Sequence, residues 1–198
     1  MNRIQLFTLA LLLGTAHASG AETENTHPAW GMKQLMHKLG QVKSSKARFV
    51  EQKYLSMLTF PTEISGTLIY KAPSRFEKHT LKPKPESMIL DQDRLTIENP
   101  TKQQKHQLSL QDYPVIWALV ESIRSTLAGD LPTLNRFYSV KLDGSADKWR
   151  LVLVPNDTKI KYWVSEILIN GNDNRINTIE IKETEGDRSV MTISEDNS

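Results

Sequence analysis

The chain has 198 residues, with 25 lysines and arginines against 23 aspartates and glutamates, and it contains no cysteine. The lack of cysteine excludes disulfides, thiolate metal sites and cysteine nucleophiles. The near balance of charge argues against a nucleic-acid partner, which usually binds a strong basic excess. The length fits one domain with a sizeable core.

The first residues have the three parts of a secretory signal peptide. Arg3 comes first, a mostly apolar run follows, and the small-x-small triplet at residues 16–18 has the form of a cleavage site. The apolar run is too short to span a bilayer. We therefore predict a signal peptide over residues 1–18, with 21 as the alternative end, and a single domain over residues 22–198. A signal peptide of bacterial style predicts a periplasmic location.

A helix and then six short strands are predicted in the first half of the domain. After Pro28, apolar residues up to Val42 recur at steps of two to four, which is typical of one helical face. Three strands follow between Ala47 and Thr80, where β-branched and aromatic residues alternate with turns. Three more strands are predicted before Leu110.

Two helices are predicted in the middle of the chain. Asp112 is available as the N-cap of the first, Pro114 suits its first turn, and Gly129 ends it. Asp130 and Pro132 repeat the cap and the proline for a short third helix. Five strands joined by turn residues make up the last third.

About eleven strands and three helices, without internal repeats or a linker, predict an α+β fold. The expected architecture is a large curved antiparallel sheet with the helices packed on one face. The strand from Trp149 to Val154 is apolar on both sides, and this pattern predicts that it lies centrally in the sheet.

No catalytic or metal-binding pattern is present in the sequence. The histidines that follow the predicted signal peptide lie on different elements, and none has the spacing of metal ligands on one helix. The chain has no G-x-S-x-G motif, no H-E-x-x-H motif and no glycine-rich phosphate loop. We therefore predict a protein that is not an enzyme and that needs no metal or other cofactor.

The second predicted helix is apolar around much of its girth, because Trp117 stands between the stripe residues Ile116 and Leu119. One interpretation is a core helix packed on the sheet. The other is a lid over a concave sheet that buries an acyl chain, at about 0.8 kcal/mol per CH₂. The residues predicted to line this apolar cavity are Phe49, Leu68, Tyr70, Phe76, Ile89, Ile97, Ile116, Leu119, Val120, Ile123 and Trp149.

Three short motifs follow one another between Ala47 and Pro100. They are F-x-x-Q from Phe49, G-x-L-x-x-K-x-P-x-x-F from Gly66, and P-E-S-M-I-L-D from Pro85. In this order and spacing the chain resembles the periplasmic outer-membrane lipoprotein carriers, the LolA-like family. The resemblance implies an unclosed β-barrel in which the helices form a lid over the concave face of the sheet.

The resemblance also implies a function. It predicts a periplasmic carrier that binds the acyl or other apolar chain of a lipoprotein or lipid and ferries it from the inner toward the outer membrane. An inner-membrane exporter and an outer-membrane acceptor are the implied partners, and we expect a monomer. The alternative is a periplasmic sensor or interaction module of the same fold, which binds lipoproteins and signals to a membrane partner.

The sequence departs from the family pattern at three positions. Ala72 stands where the family has an arginine implicated in holding the lid and handing cargo on, and Lys71 and Arg75 flank that position. The resemblance therefore assigns lid control and hand-over to these three positions. Lys78 replaces an aromatic residue, and Arg94 replaces a turn glycine. These departures favour a divergent branch with another amphiphile as cargo, such as a glycolipid or a polyene-type lipid.

Overall fold

The computed structural model describes residues 30–195. The predicted signal peptide lies outside the described residues, so its end and the start of the domain stay predictions. The helices are α1 (Met32–Gly40), α2 (Pro114–Ala128), α3 (Leu131–Phe137) and α4 (Thr158–Lys161). The strands are β1 (Ser44–Tyr54), β2 (Thr62–Lys71), β3 (Arg75–Lys82), β4 (Glu86–Asp91), β5 (Arg94–Asn99), β6 (Gln104–Ser109), β7 (Tyr138–Ser145), β8 (Lys148–Pro155), β9 (Val164–Asn172), β10 (Arg175–Glu183) and β11 (Arg188–Glu195).

The strands of the described chain form one eleven-stranded antiparallel sheet, in the order β6-β5-β4-β3-β2-β1-β11-β10-β9-β8-β7. Strand β1 pairs with β2 on one side and with β11 on the other, so it joins the early and late strands. The sheet ends at β6 and β7, which do not pair with each other. The predicted α+β fold, an unclosed β-barrel with helices, is thereby confirmed.

Strand β2 shows how the sequence builds the concave wall. Gly66, Leu68 and Tyr70 are buried and alternate with more exposed residues, as expected when one face of a strand is covered. A Cβ atom at Gly66 would lie 1.9 Å from the carbonyl oxygen of His79 on β3. Glycine is therefore required where β2 and β3 approach each other closely.

Helix α2 crosses this concave face and contacts α1 and α3. It ends at Gly129, whose φ of 67° places it in the left-handed region, as predicted. Its start differs from the prediction, because Tyr113 occupies the N-cap and makes no side-chain cap bond. Asp112 belongs instead to the 3-10 turn Leu110–Asp112 that precedes the helix. None of the helices within residues 30–195 is both long enough and apolar enough to cross a membrane.

The prediction that the strand from Trp149 to Val154 lies centrally is wrong. It forms β8, which is next to the edge strand β7. Leu151 and Leu153 are fully buried in the core beneath the helices, whereas Val154 is 37% exposed. Apolar residues on both sides of a strand therefore indicate burial of only one face here, because the helices cover that face and leave the other partly open.

Asp130 is the N-cap of α3, and its carboxylate accepts a hydrogen bond from the backbone N–H of Thr133 at 3.0 Å. We expect Asp130→Ala to lower the free energy of unfolding by about 1 kcal/mol, because it leaves an N–H at the helix start without its partner. Urea unfolding followed by circular dichroism measures the change. Asp147→Ala, at an exposed turn position, is the matched control, and an equal loss there would contradict the capping role.

Candidate functional site

A cavity of about 1210 Å³ lies on the concave face of the sheet beneath α2. Strands from both halves of the sheet form its wall, and α2 covers it from one side. The aliphatic and aromatic side chains of this wall are Leu39, Val42, Ala47, Leu68, Tyr70, Phe76, Met88, Leu90, Leu95, Ile97, Ile116, Leu119, Val120, Ile123, Leu127, Ile176, Ile179, Ile181, Met191 and Ile193. A cavity with such a wall can hold an apolar chain.

Helix α2 presents different side chains to the cavity and to its helical neighbours. Residues at steps of three and four, from Ile116 through Leu119 to Ile123, line the cavity. Ala118 and Ser122 lie on another face and are buried. One face of α2 therefore packs in the core, as the first interpretation expects, while another is half-exposed toward the cavity. Its role as a lid over an acyl chain stays a prediction.

Eight of the residues predicted for the cavity wall lie on it. They are Leu68, Tyr70, Phe76, Ile97, Ile116, Leu119, Val120 and Ile123. Their contact with a ligand stays a prediction. Phe49, Ile89 and Trp149 are not on the wall, each for a different physical reason.

Ile89 lies between Met88 and Leu90, which both line the cavity. Neighbouring side chains of a strand point to opposite faces, so Ile89 points away from it. Trp149 is buried in the core, and its indole Nε1 donates a hydrogen bond to the carbonyl oxygen of Asp173 at 3.0 Å. Phe49 shares the cavity side of β1 by strand alternation but is only 1% exposed, because Lys78 Nζ lies 4.9 Å from the centre of its ring.

Sequence reasoning missed the contribution of the last two strands to the wall. Ile176, Ile179 and Ile181 come from β10, and Met191 and Ile193 come from β11. The alternation of apolar residues in these strands could have indicated which side chains face the cavity. In β10, however, it is interrupted by an irregularity between residues 176 and 178. The pairing of β11 with β1, which brings these residues to the cavity, has no local signature.

Charged residues also line the mostly apolar wall, and two of them, Glu51 and Lys78, form an ion pair on it. Glu51 is 5% exposed and Lys78 has a side chain 16% exposed, and Lys78 Nζ lies 2.5 Å from Glu51 Oε2. Glu51 on β1 and Lys78 on β3 each occupy a cavity-facing position where the alternation of the strand would predict an apolar side chain. Sequence reasoning noted Lys78 only as a departure from a family pattern, and it missed Glu51.

A polar network on α2 ties the helix to the β4–β5 hairpin. Arg124 Nη1 donates a hydrogen bond to the carbonyl oxygen of Gln92 in the hairpin turn at 2.5 Å. The guanidinium also bonds the carboxylate of Glu121, which is 2% exposed. The Glu121 carboxylate further accepts bonds from Trp117 Nε1 at 3.0 Å and from Ser125 Oγ at 2.8 Å. This network, which sequence reasoning missed, holds α2 in place over the cavity.

The positions predicted for lid control, Lys71, Ala72 and Arg75, are not on the cavity wall. Arg75 Nε bonds Glu77 Oε1 at 2.8 Å, and its Nη1 bonds Asp91 Oδ2 at 3.1 Å. Burial raises the pKa of Glu77, but hydrogen bonds from His79 and Arg75 outweigh it and hold that pKa below its ordinary value. Arg75 and Glu77 alternate with the residues of β3 that face the cavity, so these bonds lie on the other side of the strand. Lid control from these positions stays a prediction.

Within the described chain, no three histidine or carboxylate side chains lie close enough together to hold a metal ion. The arrangement instead offers apolar area, two largely buried ion pairs (Glu51 with Lys78 and Glu121 with Arg124) and a covering helix. Fold and cavity together define a lidded half-barrel that encloses an apolar space.

A family model described as "Outer membrane lipoprotein carrier protein LolA-like" matches residues 25–195. The chain therefore belongs to the LolA-like family, and the resemblance seen in its motifs is confirmed. No curated protein matches the sequence significantly.

Several solved structures are similar to this chain at low identity. A LolA superfamily protein of Nitrosomonas europaea is 12% identical, with 84% of this chain and 93% of that chain covered and a TM-score of 0.46. In the MucA/MucB complex of Pseudomonas aeruginosa, the matching chain is 11% identical, with 83% and 56% covered and a TM-score of 0.45. A domain described as a putative outer membrane lipoprotein-sorting protein of Vibrio parahaemolyticus is 10% identical, with 83% and 89% covered and a TM-score of 0.43.

Proposed function

We propose that this protein is a periplasmic carrier for the acyl or other apolar chain of a lipoprotein or lipid. The acyl or other apolar chain of the ligand is held in the cavity between the sheet and α2, and the ligand is ferried from the inner toward the outer membrane. The observation that carries the proposal is the cavity itself, with about 1210 Å³ of space and a mainly aliphatic wall. This volume exceeds the roughly 300–1,000 Å³ of ordinary small-molecule pockets, which suits a long chain or more than one.

Burial alone supplies sufficient affinity for such a ligand. At about 0.8 kcal/mol per CH₂, a chain of roughly 14 methylenes contributes on the order of 10 kcal/mol before the entropic cost of binding is subtracted. No directional chemistry or covalent step is required. Binding by area also explains how a site with few polar groups can hold an amphiphile.

A carrier of this kind receives its cargo from an inner-membrane exporter and delivers it to an outer-membrane acceptor. Membership of the LolA-like family supports these partners and the periplasmic location. Crosslinking of cargo-loaded protein in its own host, followed by identification of the bound proteins, separates this role from that of a sensor. Recovery of a signalling receptor without any transport component would favour the sensor.

Native mass spectrometry of protein purified from its own host tests the proposed function directly. We expect adducts with the mass of a lipid or acylated species, and their loss after delipidation. The delipidated protein should then take up a fluorescent fatty-acid probe. Repeated absence of any co-purifying lipid, together with no uptake of the probe, would contradict the carrier role.

A further inference from the structure

Four connections between strands lie at one end of the sheet, where β1 ends and β2 begins. Tyr54, the last residue of β1, pairs with Arg188, the first of β11, so the β1–β2 loop and the β10–β11 turn lie at the same end. The start of β9 pairs with the end of β10, and the end of β3 pairs with β2 near its start, so the α4–β9 connection and the β3–β4 loop lie there too. We call this surface the loop end, and it consists of residues 53–63, 81–87, 155–165 and 182–189.

Hydrogen bonds join three of these connections to one another. The backbone N–H of Ser56 in the β1–β2 loop donates to Asp187 Oδ1 in the β10–β11 turn at 2.7 Å. In the same turn, the backbone N–H of Thr184 donates to the carbonyl oxygen of Trp163 at 3.1 Å, and Thr184 Oγ1 donates to that of Lys161 at 2.8 Å. The loop end is therefore a continuous surface across strands β1, β11, β10 and β9.

Large apolar and aromatic side chains are concentrated at the loop end. Nine such side chains are exposed within residues 30–195, and six of them lie here: Met57, Leu58, Phe60, Leu81, Tyr162 and Trp163. Met57 is 84% exposed and Phe60 is 79% exposed, so both project from the β1–β2 loop into solvent. Single exposed apolar residues are ordinary, but a concentration of them on one surface marks an interaction site.

The composition and shape of the loop end favour a lipid bilayer as the partner. The rings of Tyr162 and Trp163 lie 5.2 Å apart, edge to face. Each joins an apolar ring to a polar atom, the combination enriched at the interface between membrane and water. The apolar side chains project from separate connections, and a fluid bilayer accepts such projections without a matching groove.

The charges of the loop end are almost balanced. Its residues include seven lysines and arginines and six aspartates and glutamates. Attraction to anionic headgroups needs a basic excess, so it is not the main source of binding here. Burial of the apolar side chains at the membrane interface supplies the affinity instead. A zwitterionic bilayer should therefore bind nearly as well as an anionic one.

We propose that the loop end docks this protein on the surface of a lipid bilayer, with Met57, Phe60 and Trp163 inserted at the level of the headgroups. The inference goes beyond the proposed function, because none of the six exposed side chains lies on the cavity wall. Docking and cargo binding are therefore separable. For a carrier, docking places the cavity next to the membrane that supplies or accepts the cargo.

Co-sedimentation with sucrose-loaded vesicles of dioleoylphosphatidylcholine, alone or mixed with dioleoylphosphatidylglycerol, tests the proposal. The unmodified protein should bind both kinds of vesicle within a few-fold of each other. The double variant Met57→Ser, Phe60→Ser should bind about 100-fold more weakly, or about tenfold for each side chain. It should still take up a fluorescent fatty-acid probe, because the cavity is unchanged.

Tyr113→Ser is the matched control, since Tyr113 is a 45% exposed aromatic residue at the opposite end of the sheet, and it should bind vesicles normally. No binding of the unmodified protein at millimolar lipid, or undiminished binding by the folded double variant, would overturn the proposal. Sedimentation velocity provides a further check. Self-association that disappears in the double variant would assign the loop end to a second copy of the chain, and would also overturn it.

The fluorescence of Trp163 reports insertion directly. The other tryptophans, Trp30, Trp117 and Trp149, pack against or within the core. Phosphatidylcholine with brominated acyl chains should quench part of the fluorescence of the unmodified protein, and this quenching should disappear in Trp163→Phe. Quenching that persists unchanged in Trp163→Phe would come from lipid at another place and would contradict insertion of the loop end.

Discussion

Replacement of Leu119 by aspartate is expected to lower the affinity for an acyl ligand by about 100-fold. A carboxyl group in an apolar site has its pKa raised by roughly two units, and the same free energy corresponds to a 100-fold change in affinity. Leu119 lies on the cavity face of α2 and is half-buried, so the introduced carboxylate can remain hydrated when the cavity is empty. Ligand binding removes that water and makes the charge unfavourable. The loss should therefore appear in ligand uptake rather than in folding.

Titration with a fluorescent fatty-acid probe measures this loss, and circular dichroism checks the fold. Leu119→Met keeps an apolar side chain and should bind normally. Val115→Asp places the same charge in the first turn of α2, outside the cavity wall, and should also bind normally. Affinity of the Leu119→Asp protein should rise as the pH falls from 8 to 5, because ligand binding favours the neutral carboxyl form. Undiminished uptake by a folded Leu119→Asp protein would show that α2 does not cover the ligand.

The second large effect is expected at Arg124. Arg124→Met should lower the free energy of unfolding by about 3–5 kcal/mol, because Glu121 would be left as a buried charge without its cation. The same change removes the bond to Gln92 that connects α2 to the β4–β5 turn. Ligand should consequently leave the cavity faster, since the covering helix is held less firmly.

A double-mutant cycle in urea separates these effects. Glu121→Met combined with Arg124→Met removes both charges and should restore most of the stability that Arg124→Met loses. The faster ligand release should persist in the double variant, because the bond to Gln92 is still missing. Arg94→Met, at an exposed position of the same hairpin, is the control for loss of an arginine. A double variant as unstable as the single one would contradict the buried-charge explanation.

Local patterns predicted the helices and strands well because they depend on neighbours in the chain. Steps of three and four in α2 indicated one apolar face, and Ile116, Leu119 and Ile123 do share the cavity face. Asp130 and Gly129 were recognised as cap residues from their chemistry alone. These signals need only a few residues and the helical period.

The prediction failed where the sequence pattern does not show which face of a strand points into the cavity. In β4 the run Met88, Ile89, Leu90 is apolar at every position, so alternation does not choose which side chains face the cavity. The structure turns Met88 and Leu90 inward and Ile89 outward. Trp149 was assigned to the cavity for its size and apolar character, yet the helices cover it within the core.

The sequence by itself determined the number and order of the strands, the helices α1 to α3 and the family, because periodicity and turn chemistry act over a few residues; the short helix α4 was not predicted. The tertiary structure alone decided which strands meet and what lies at the cavity wall. Pairing of β1 with β11 joins residues that are far apart in the chain, and the contact between Glu51 and Lys78 spans three strands. Such contacts depend on the burial of the whole sheet beneath its helices, which no local pattern encodes.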